Sequence, residues 1–564
     1  MSNYPFWTAD KFSINSRRLV KFLSHDLHFG LYKSTEDREE KTILIRIVEN
    51  IVQVHSINSL KRTLVDFIES DTDLTDEVKD GVLDRLVKLQ PSTLGNYTTH
   101  LPIWSQQEFA GTSNLDVMID NDSECYLPFK NGVVVITEDD ITLQGYEILE
   151  NRLVWESSVI DHEITVKSEG FQREAFKDFV HFALKNEITP QKDDVKNRYD
   201  EGTSSERYQS AKSAFETGYG YLIHNFNPPD EQKMVVFVDI ESTKTTAQGR
   251  NGKSLTQKTV GHYKRLSSIN GKGLQNSNRD GSRFHFQSVK IDTQVIVIND
   301  LKQNFDFEQL FSQITDDFTI EGKGTNQIVI PQERKPKMCL NTNYLISGSG
   351  ASYEGRQHIV EFGNYFNRAH NQGLKPKDII GCNICDKNFS SDDWDAFYNY
   401  GFHCVQRYLK EGLYTSITKS QNRRKLIDAV EGIEGNGDLV NWLDEWCSTT
   451  RVDWDYHKEG ISETELFQMF RQDRPDLTHK WDASTFHTAV FEFATTVDGY
   501  DYNPHKASAG FTKTKRRWRK GPAGKQENYI LITHDNDDDQ VIDPIIELRL
   551  ISNTAVSNSE WVAA

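Results

Sequence analysis

The sequence is poor in cysteine and has no long apolar run. It contains 6 cysteines in 564 residues, and their irregular spacing excludes a disulfide framework and fits a reducing compartment. No apolar run reaches the ~18 residues that a membrane-spanning helix needs. The first residues, MSNYPFWTADKFS, lack the apolar core of a signal peptide. We therefore expect a cytoplasmic protein without membrane contact.

Basic charge is also scarce. Lys and Arg total 65 against 84 Asp and Glu, which gives a formal net charge of -19 and a pI of about 5.4. This balance excludes a general basic coat, so a nucleic acid would have to be held in a local groove or channel. With 37% hydrophobic and 11% aromatic residues, the chain can bury a core. At roughly 150 residues per domain, its length allows three to four domains.

Changes in residue pattern predict an α/β protein built from consecutive segments. An apolar stripe, Leu60, Leu64, Phe67 and Ile68, is typical of a buried helix face. The apolar runs MVVFVDI, QVIVIND and KMCLNTNYLI predict buried strands that alternate with helices. The segments are a mostly helical N-terminal region (1–120), a β-rich module (121–168), a helical collar (169–225), an α/β core (226–370), a helical region (371–450), a winged-helix-like unit (451–534) and an acidic stretch with a tail (535–564).

The strongest local motif is AQGRNGKSL at 247–255, which is typical of a phosphate-binding loop. Glycines let the loop turn its N–H groups towards phosphate oxygens, a lysine reaches the β- and γ-phosphates, and a serine hydroxyl binds Mg²⁺. The motif therefore predicts ATP and Mg²⁺ as cofactors. Ala247 replaces the first glycine of the general pattern, which keeps an ordinary polar loop as the alternative. The candidate binding residues are Gly249, Asn251, Gly252, Lys253 and Ser254.

Polar residues at the ends of the next two predicted strands complete this site. Asp300 is the candidate second Mg²⁺ ligand, because a buried strand can hold its carboxylate rigidly beside the loop. Asn299 stands where many such ATPases carry a first acid, so either Asp300 suffices or hydrolysis is slow. Asn343 is assigned to orient the attacking water, with Asn341 as the alternative.

Arg356 is a candidate arginine finger, a residue that typically contacts the nucleotide of a neighbouring subunit. A surface salt bridge is the alternative. A finger supplied in trans requires a head-to-tail interface, which closes into a ring or continues as a filament. The acidic outer charge favours closure around a positive channel, so we expect a homomeric ring, a hexamer.

Two basic features are candidate DNA contacts. β-favouring stretches flank Gly322-Lys323-Gly324 and predict a hairpin with Lys323 at its tip, although a solvated turn lysine has the same pattern. Further along, FTKTKRRWRKG combines basic residues with Trp518, which fits contact with a nucleic-acid backbone plus stacking, or else a solvated charged loop. The basic candidates in this run are Lys513, Lys515, Arg516, Arg517 and Arg519.

Two further patterns are weak. Cys382 and Cys385 form a single CxxC without a well-spaced second pair, and the candidate partners His403 and Cys404 lie on a predicted helix. Small buried cysteines are therefore favoured over zinc. The acids of LDVMIDND could hold polymerase metals. However, about 120 preceding residues are too few for a full primase core.

In combination and order, these motifs resemble those of superfamily-three helicases, and within them the phage/plasmid and poxvirus-type primase-helicases. The resemblance covers roughly 120–410 and includes YLPFKNGVVVITEDDITLQGYEI, ETGYGYLIHNF and PKMCLNTN. It implies an AAA+-type P-loop ATPase core with an N-terminal α+β region, a helical collar and a C-terminal winged-helix-like domain. In such rings the hairpin projects into the channel, which gives Lys323 a DNA-backbone contact.

The resemblance implies an ATP-dependent replicative DNA helicase of a phage or mobile element, located in the host cytoplasm if viral. It would translocate on single-stranded DNA, act at forked DNA and work with replisome proteins. Two alternatives stay open. One is a P-loop DNA-binding switch or scaffold that does not unwind, and the other is a bifunctional primase-helicase.

Overall fold

A computed structural model describes most of the chain with its side chains. The described residues are 6–8, 10–33, 42–105, 113–186, 188–192, 194–197, 200, 203–240, 249–274, 285–290, 292–301, 305–321, 328–344, 346, 351–416, 438–446, 461–477, 481–496, 500–502, 517–520, 526–530 and 532–534. Over these residues the fold is mixed α/β, with several sheets and many helices.

The strands, in chain order, are β1 Phe29–Lys33, β2 Thr42–Val48, β3 Ile51–Val54, β4 Ile103–Ser105, β5 Ser113–Asn114, β6 Cys125–Phe129, β7 Gly132–Ile136, β8 Ile141–Gln144, β9 Val154–Trp155, β10 Met234–Asp239, β11 Leu266–Asn270, β12 Val295–Asn299, β13 Phe318–Ile320, β14 Ile328–Ile330, β15 Lys337–Asn341, β16 Gln357–Phe362, β17 Ile461–Ser462, β18 Tyr500–Tyr502, β19 Arg517–Lys520, β20 Gln526–Ile530 and β21 Ile532–His534.

The α-helices, in chain order, are α1 Ser16–His25, α2 Ile57–Ser70, α3 Asp76–Lys88, α4 Pro91–Thr98, α5 Ala175–Ala183, α6 Asp194–Asn197, α7 Glu206–Ile223, α8 Lys253–Val260, α9 Gly271–Leu274, α10 Phe311–Thr315, α11 Ala351–Glu354, α12 Tyr365–Asn371, α13 Pro376–Ile380, α14 Ser391–Glu411, α15 Asp438–Glu445, α16 Glu463–Asp473 and α17 Ala483–Thr496. Within the part of the chain that the structure describes, no helix is both long and apolar enough to cross a bilayer.

The N-terminal part combines helices α1–α4 with a sheet of order β5-β4-β1-β2-β3-β9. The predicted helix face is confirmed, because Leu60, Leu64 and Ile68 of α2 are fully buried. Of the strands of this sheet, only β9 lies in a segment whose residue pattern favours a strand, LVWESSVI at 153–160. The other strands mix apolar with polar residues, and β2 is only partly buried, so they lack the continuous apolar run that marks a strand buried on both faces.

The β-rich module is a three-stranded antiparallel meander, β6-β7-β8. The dipeptide Asn131-Gly132 favours a hairpin turn, and it joins β6 to β7, with Phe129 paired to Gly132. Gly132 has a φ of 146°, and a Cβ there would lie 2.3 Å from the Gln144 carbonyl oxygen, so only glycine fits. The stretch ITLQGYEIL at 141–149 favours a strand along its whole length, but β8 ends at Gln144, because Tyr146–Leu149 form a 3₁₀ turn.

The central sheet is parallel, with the order β11-β12-β15-β10-β16. The predicted strands β10, β12 and β15 are confirmed, whereas β11 and β16 were not predicted. In β16, an edge strand of this sheet, the polar residues Gln357, His358 and Glu361 are buried, so a search for apolar runs does not find it. His358 is accommodated because its Nε2–H donates to the Ala214 carbonyl oxygen of α7 at 2.7 Å.

One hydrophobic core connects the meander, the collar helices, the central sheet and α14. It includes Phe129 of β6, Phe179 of α5, Tyr219 of α7, Phe237 of β10 and Phe402 of α14. Helices α7 and α14 approach very closely, since a Cβ at Gly220 would lie 2.1 Å from the Cys404 carbonyl oxygen. The meander and the collar are therefore packed into the same core as the sheet.

The C-terminal described segments form a separate core from α15, α16 and α17 with β17 and β20. The sequences SETELFQMFRQ and DASTFHTAVFEFA favour helices, and they form α16 and α17. The basic loop needs a correction, because its second half forms strand β19, which pairs antiparallel with β20 through Arg517 and Tyr529. Backbone pairing with β20 outweighs the weak strand preference of this basic stretch.

The buried His358 predicts a loss of stability in acid. Burial lowers the pKa of His358 to about 4, from an ordinary 6.5. Between these values the unfolded chain binds a proton that the folded chain does not, so the free energy of unfolding falls as the pH drops from 6.5 towards 4. His358→Gln keeps an N–H donor and removes the titration. We expect its pH slope, from denaturant titrations, to be smaller by about 1.4 kcal/mol per pH unit; an unchanged slope would contradict this account.

Candidate functional site

The candidate site lies at the carboxyl ends of three neighbouring strands. β10 ends at Asp239, β12 at Asn299 and β15 at Asn341, and β15 lies between the other two. From β10 the chain continues to β11 at one edge of the sheet, whereas from β15 it crosses β10 to reach β16 at the other edge. Ligands of parallel α/β sheets bind where such connections diverge.

The loop that leads into α8 is fixed by contacts from both sides. The Asn251 side-chain amide donates to the Asp239 carboxylate at 2.9 Å. From α12, the Asn367 backbone N–H donates to Asn251 Oδ1 at 3.1 Å, and its side-chain amide donates to the Gly249 carbonyl oxygen at 2.8 Å. The preceding residues 241–248, including Ala247, lie outside the described residues.

Gly252 makes the turn into the helix. Its φ of 99° is a left-handed conformation, and a Cβ there would lie 2.5 Å from Cζ of Phe179 on α5. Only glycine combines this backbone conformation with such a close approach. The first turn of α8, with its free N–H groups, therefore begins directly beside the collar helix α5.

Lys253, the first residue of α8, forms a buried ion pair with Asp239. Its ammonium group donates to an Asp239 oxygen, and Asp239 is completely buried. Burial lowers the pKa of Lys253, and the neighbouring Asp239 carboxylate opposes that shift. Asp239 was not predicted as a site residue. The available signal was an acid at the end of a buried strand, the pattern that identified Asp300.

Asn341, at the end of β15, connects α8 to the end of β12. Its amide nitrogen lies 3.1 Å from Ser254 Oγ and 2.9 Å from Asn299 Oδ1, and it also donates to Gln257 Oε1. Two amide hydrogens are shared among these three acceptors. The Asn341 oxygen accepts from the Asp300 N–H at 3.1 Å. Asn341 is therefore the hub of the polar network.

Asn343 lies beyond the end of β15 and is half-buried. The structure thus brings the alternative, Asn341, into contact with Ser254, whereas the assigned Asn343 lies two residues further along the chain.

Asn299 and Asp300 share the tip of β12 but face different partners. Asn299 accepts from Asn341 and donates through Nδ2 to Ser268 Oγ of β11 at 3.0 Å. A carboxylate could not make that second bond as a donor. Asp300 has a left-handed φ of 55°. Its charge partly opposes the lowering of the Lys253 pKa that burial causes. Asp300, exposed to solvent, is thus within electrostatic range of the loop lysine.

Arg356 lies at the amino-terminal ends of the strands, whereas the candidate site lies at their carboxyl ends. It directly precedes β16, and its carbonyl oxygen accepts from the N–H of Met234 at the start of β10. The length of β10, about 3.3 Å per residue, separates it from Asp239. Its guanidinium donates to the Ser352 carbonyl oxygen at 3.0 Å and stacks 4.6 Å from the centre of the Phe311 ring. Arg356 is therefore not brought to its own chain's loop.

The predicted DNA contacts are only partly covered by the structure. The strands that flank the predicted hairpin pair antiparallel, with Phe318 opposite Ile330, but the tip with Lys323 lies outside the described residues. Lys513, Lys515 and Arg516 also lie outside them. Arg517 and Arg519 belong to β19.

The weaker sequence patterns do not form a metal site within the described residues. No group of three or more His, Cys, Asp or Glu side chains there is arranged to hold a metal ion. Asp120 instead accepts backbone N–H bonds from Tyr126 at 2.9 Å and Asn225 at 2.7 Å. Asp116 and Asp122 are exposed. Asp120 therefore stabilises the fold.

Two glycines of the loop give a matched test of this geometry. Gly252→Ala should destabilise the protein by at least about 1–2 kcal/mol, because of the left-handed backbone, with the Phe179 clash in addition. At Gly249 a Cβ would meet nothing within 4 Å, so Gly249→Ala should change stability by less than about 0.5 kcal/mol. Thermal and denaturant unfolding of both variants measure the difference; equal effects would mean that the turn at Gly252 is wrongly placed.

Comparisons with known proteins leave the chain without a family. No family model matches the sequence, and no curated protein matches it. Among solved structures, the apo A form of the NrS-1 C-terminal region is 12% identical, with a TM-score of 0.32 over 91% of this chain and 98% of that one. A second structure of that region is 10% identical, with a TM-score of 0.33 over 80% and 89%. TM-scores this low carry no argument about fold or function.

Proposed function

We propose that this chain is an ATP-dependent DNA helicase with an AAA+-type core of superfamily three. One observation supports the proposal most. The ends of three adjacent parallel strands, Asp239, Asn299-Asp300 and Asn341, surround the first turn of a helix that carries Lys253 and Ser254. A helix N-terminus, a lysine, a serine hydroxyl and a strand-end carboxylate are the groups that a Mg²⁺-nucleotide requires.

The residues present fit Mg²⁺-ATP. The glycine turn at Gly252 leaves the backbone N–H groups of α8 open to an anion, and the Lys253 ammonium can exchange the Asp239 carboxylate for phosphate oxygens. The Ser254 hydroxyl and the Asp300 carboxylate would hold Mg²⁺. Bound Mg²⁺-ATP supplies the phosphoanhydride bond that is cleaved and the charge neutralisation that its cleavage needs. Asn341, or Asn343 beyond it, would orient the attacking water.

The position of Arg356 supports a composite site between subunits. The residue lies beside the start of β10, and Asp239 lies at the end of that strand. In this proposal Arg356 therefore contacts the nucleotide of another chain. A head-to-tail interface that joins this end of the sheet to a neighbour's loop repeats around a closed ring. The proposed assembly is a homohexamer, with Arg356 as the finger in trans.

DNA contacts are proposed at two places. The hairpin formed by β13 and β14 would present Lys323 to the phosphates of single-stranded DNA in the channel. The C-terminal unit, with two helices and the β19–β20 pair, would act as a winged helix on forked DNA through Lys513, Lys515, Arg516, Arg517 and Arg519. These contacts carry no sequence information, as a translocating motor requires.

Asn299 favours a second candidate, a nucleotide-dependent DNA clamp that does not unwind. Its amide makes hydrogen bonds as both donor and acceptor, so its place in the network belongs to an uncharged side chain. Slow hydrolysis would suit a switch or scaffold better than a motor. Stimulation of ATP hydrolysis by single-stranded DNA distinguishes the two, since only a motor couples turnover to movement along the strand.

Replacing Lys253 tests the nucleotide site. Lys253→Arg keeps the charge beside Asp239 but changes the geometry at the phosphates, so we expect a folded protein whose DNA-stimulated ATP hydrolysis falls at least about 100-fold. Lys258→Arg, on the exposed side of the same helix, is the control and should retain normal turnover. Phosphate release with and without single-stranded DNA measures both. Near-normal hydrolysis by Lys253→Arg and by Lys253→Ala would refute the assignment.

Mixing two inactive variants tests the composite site. Lys253→Ala subunits lack the loop lysine and Arg356→Ala subunits lack the finger, so each homomer should be inactive. In mixed rings some interfaces combine an intact loop with an intact finger, and ATP hydrolysis should recover in part. Native mass spectrometry establishes that mixed rings form. Mixed rings without recovered activity, or an active monomer, would contradict a finger in trans.

A further inference from the structure

A cavity lies beside the amino-terminal ends of the strands of the central sheet, away from the candidate ATP site. It encloses about 430 Å³ between the N-terminal sheet, residues 117–128 and the residues that precede β11, β12 and β15. Two of its lining residues, Lys264 and Arg265, lie between the carboxyl-terminal end of α8 and the start of β11, whereas Lys253 is the first residue of α8. The proposed ATP site and this cavity therefore lie at opposite ends of α8.

The cavity wall contains a buried cation with little compensation. Lys264 is only 5% exposed, and within the described residues its nearest anionic partner is Asp120, 4.0 Å away. Asp120 already accepts the two backbone N–H bonds described above. An ammonium group can donate three hydrogen bonds, and a buried charge without them is costly. Lys264 thus lines the cavity, and within the described residues its ammonium group has no anionic acceptor closer than Asp120.

A second lysine shares the Asp120 carboxylate with Lys264. Lys337 is buried behind Asp120, and its ammonium donates to the Tyr221 carbonyl oxygen at 2.7 Å. Burial lowers the pKa of Lys337 well below its usual value, the Asp120 charge opposes this, and the Lys264 charge lowers it further. Asp120 is therefore shared by two lysines, and an anion beside Lys264 would give its ammonium group a partner of its own.

The opposite wall is apolar and open. Val54 is 61% exposed and Ile43 39% exposed, and both line the cavity. Beside them Tyr32 and Trp155 form an edge-to-face pair with ring centres 5.2 Å apart. Exposed apolar side chains next to aromatic rings form a surface for a flat ring. The cavity thus joins an apolar surface to a charged one, in which five lysines and arginines outnumber the carboxylates of Asp120, Asp292 and Glu333.

We propose that this cavity binds a nucleoside monophosphate unit, with its phosphate at Lys264 and its base against Val54, Ile43 and Trp155. The unit is either a free nucleotide or the phosphorylated end of a DNA strand, since both present the same phosphate and base. A volume of about 430 Å³ lies within the range of small-molecule sites. The inference does not depend on the ATPase assignment.

The test measures ligand binding to the full-length chain by equilibrium dialysis. The probes are AMP, adenosine, inorganic phosphate and a 5′-phosphorylated oligothymidylate with its unphosphorylated counterpart. We expect one AMP per chain, with adenosine and phosphate each weaker. Lys264→Met should reduce AMP affinity about tenfold or more, because a charge-assisted hydrogen bond is lost. Lys258→Met, an exposed lysine of α8, is the matched control and should leave affinity unchanged.

Val54→Asp provides a second, surface variant that can fold even if Lys264→Met does not. It should weaken AMP while leaving inorganic phosphate unchanged, because only the base wall is altered. Preference for the phosphorylated oligonucleotide over AMP identifies a strand end as the source, and the reverse identifies a free nucleotide. The proposal is overturned if none of the phosphorylated probes binds, if Lys264→Met folds and binds AMP normally, or if Val54→Asp has no effect on AMP.

Discussion

The buried ion pair between Lys253 and Asp239 is the interaction on which the candidate site depends. A completely buried carboxylate requires a cation and further donors, and Lys253 and Asn251 supply them. These contacts hold the first residue of α8 and the preceding loop against the end of β10. In the proposed ATP site, a phosphate would compete with Asp239 for the Lys253 ammonium. A stronger Lys253–Asp239 pair would therefore lower the affinity for a nucleotide.

The loop before α8 packs against the collar helix α5. Phe179 of α5 contacts the position where Gly252 turns into α8, and α5 belongs to the core that contains the meander, α7 and α14. Cores this densely packed shift between discrete arrangements rather than deform freely. A displacement of the loop must therefore move or repack the collar, which provides a physical connection between the proposed ATP site and the parts of the chain before it.

The sequence predicted those parts of the site whose residue pattern is typical of a single kind of structure. β10, β12 and β15 were predicted because strands buried on both faces have continuous apolar runs. β16 was not, because buried His358 is satisfied by α7, a partner that no local pattern contains. Asn341 and Asn343 could not be separated, since only the exact end of β15 decides which one reaches Ser254. The pairing of Lys253 with Asp239 likewise depends on how the loop folds back onto the strand.

Strand displacement on a forked DNA duplex tests the central claim most directly. With Mg²⁺-ATP the wild-type chain should release the labelled strand, and with a non-hydrolysable ATP analogue it should bind the fork without releasing it. Such a result joins the proposed ATP site and the proposed DNA contacts in one activity. ATP hydrolysis and fork binding without any strand release would contradict the helicase assignment and leave the clamp as the function.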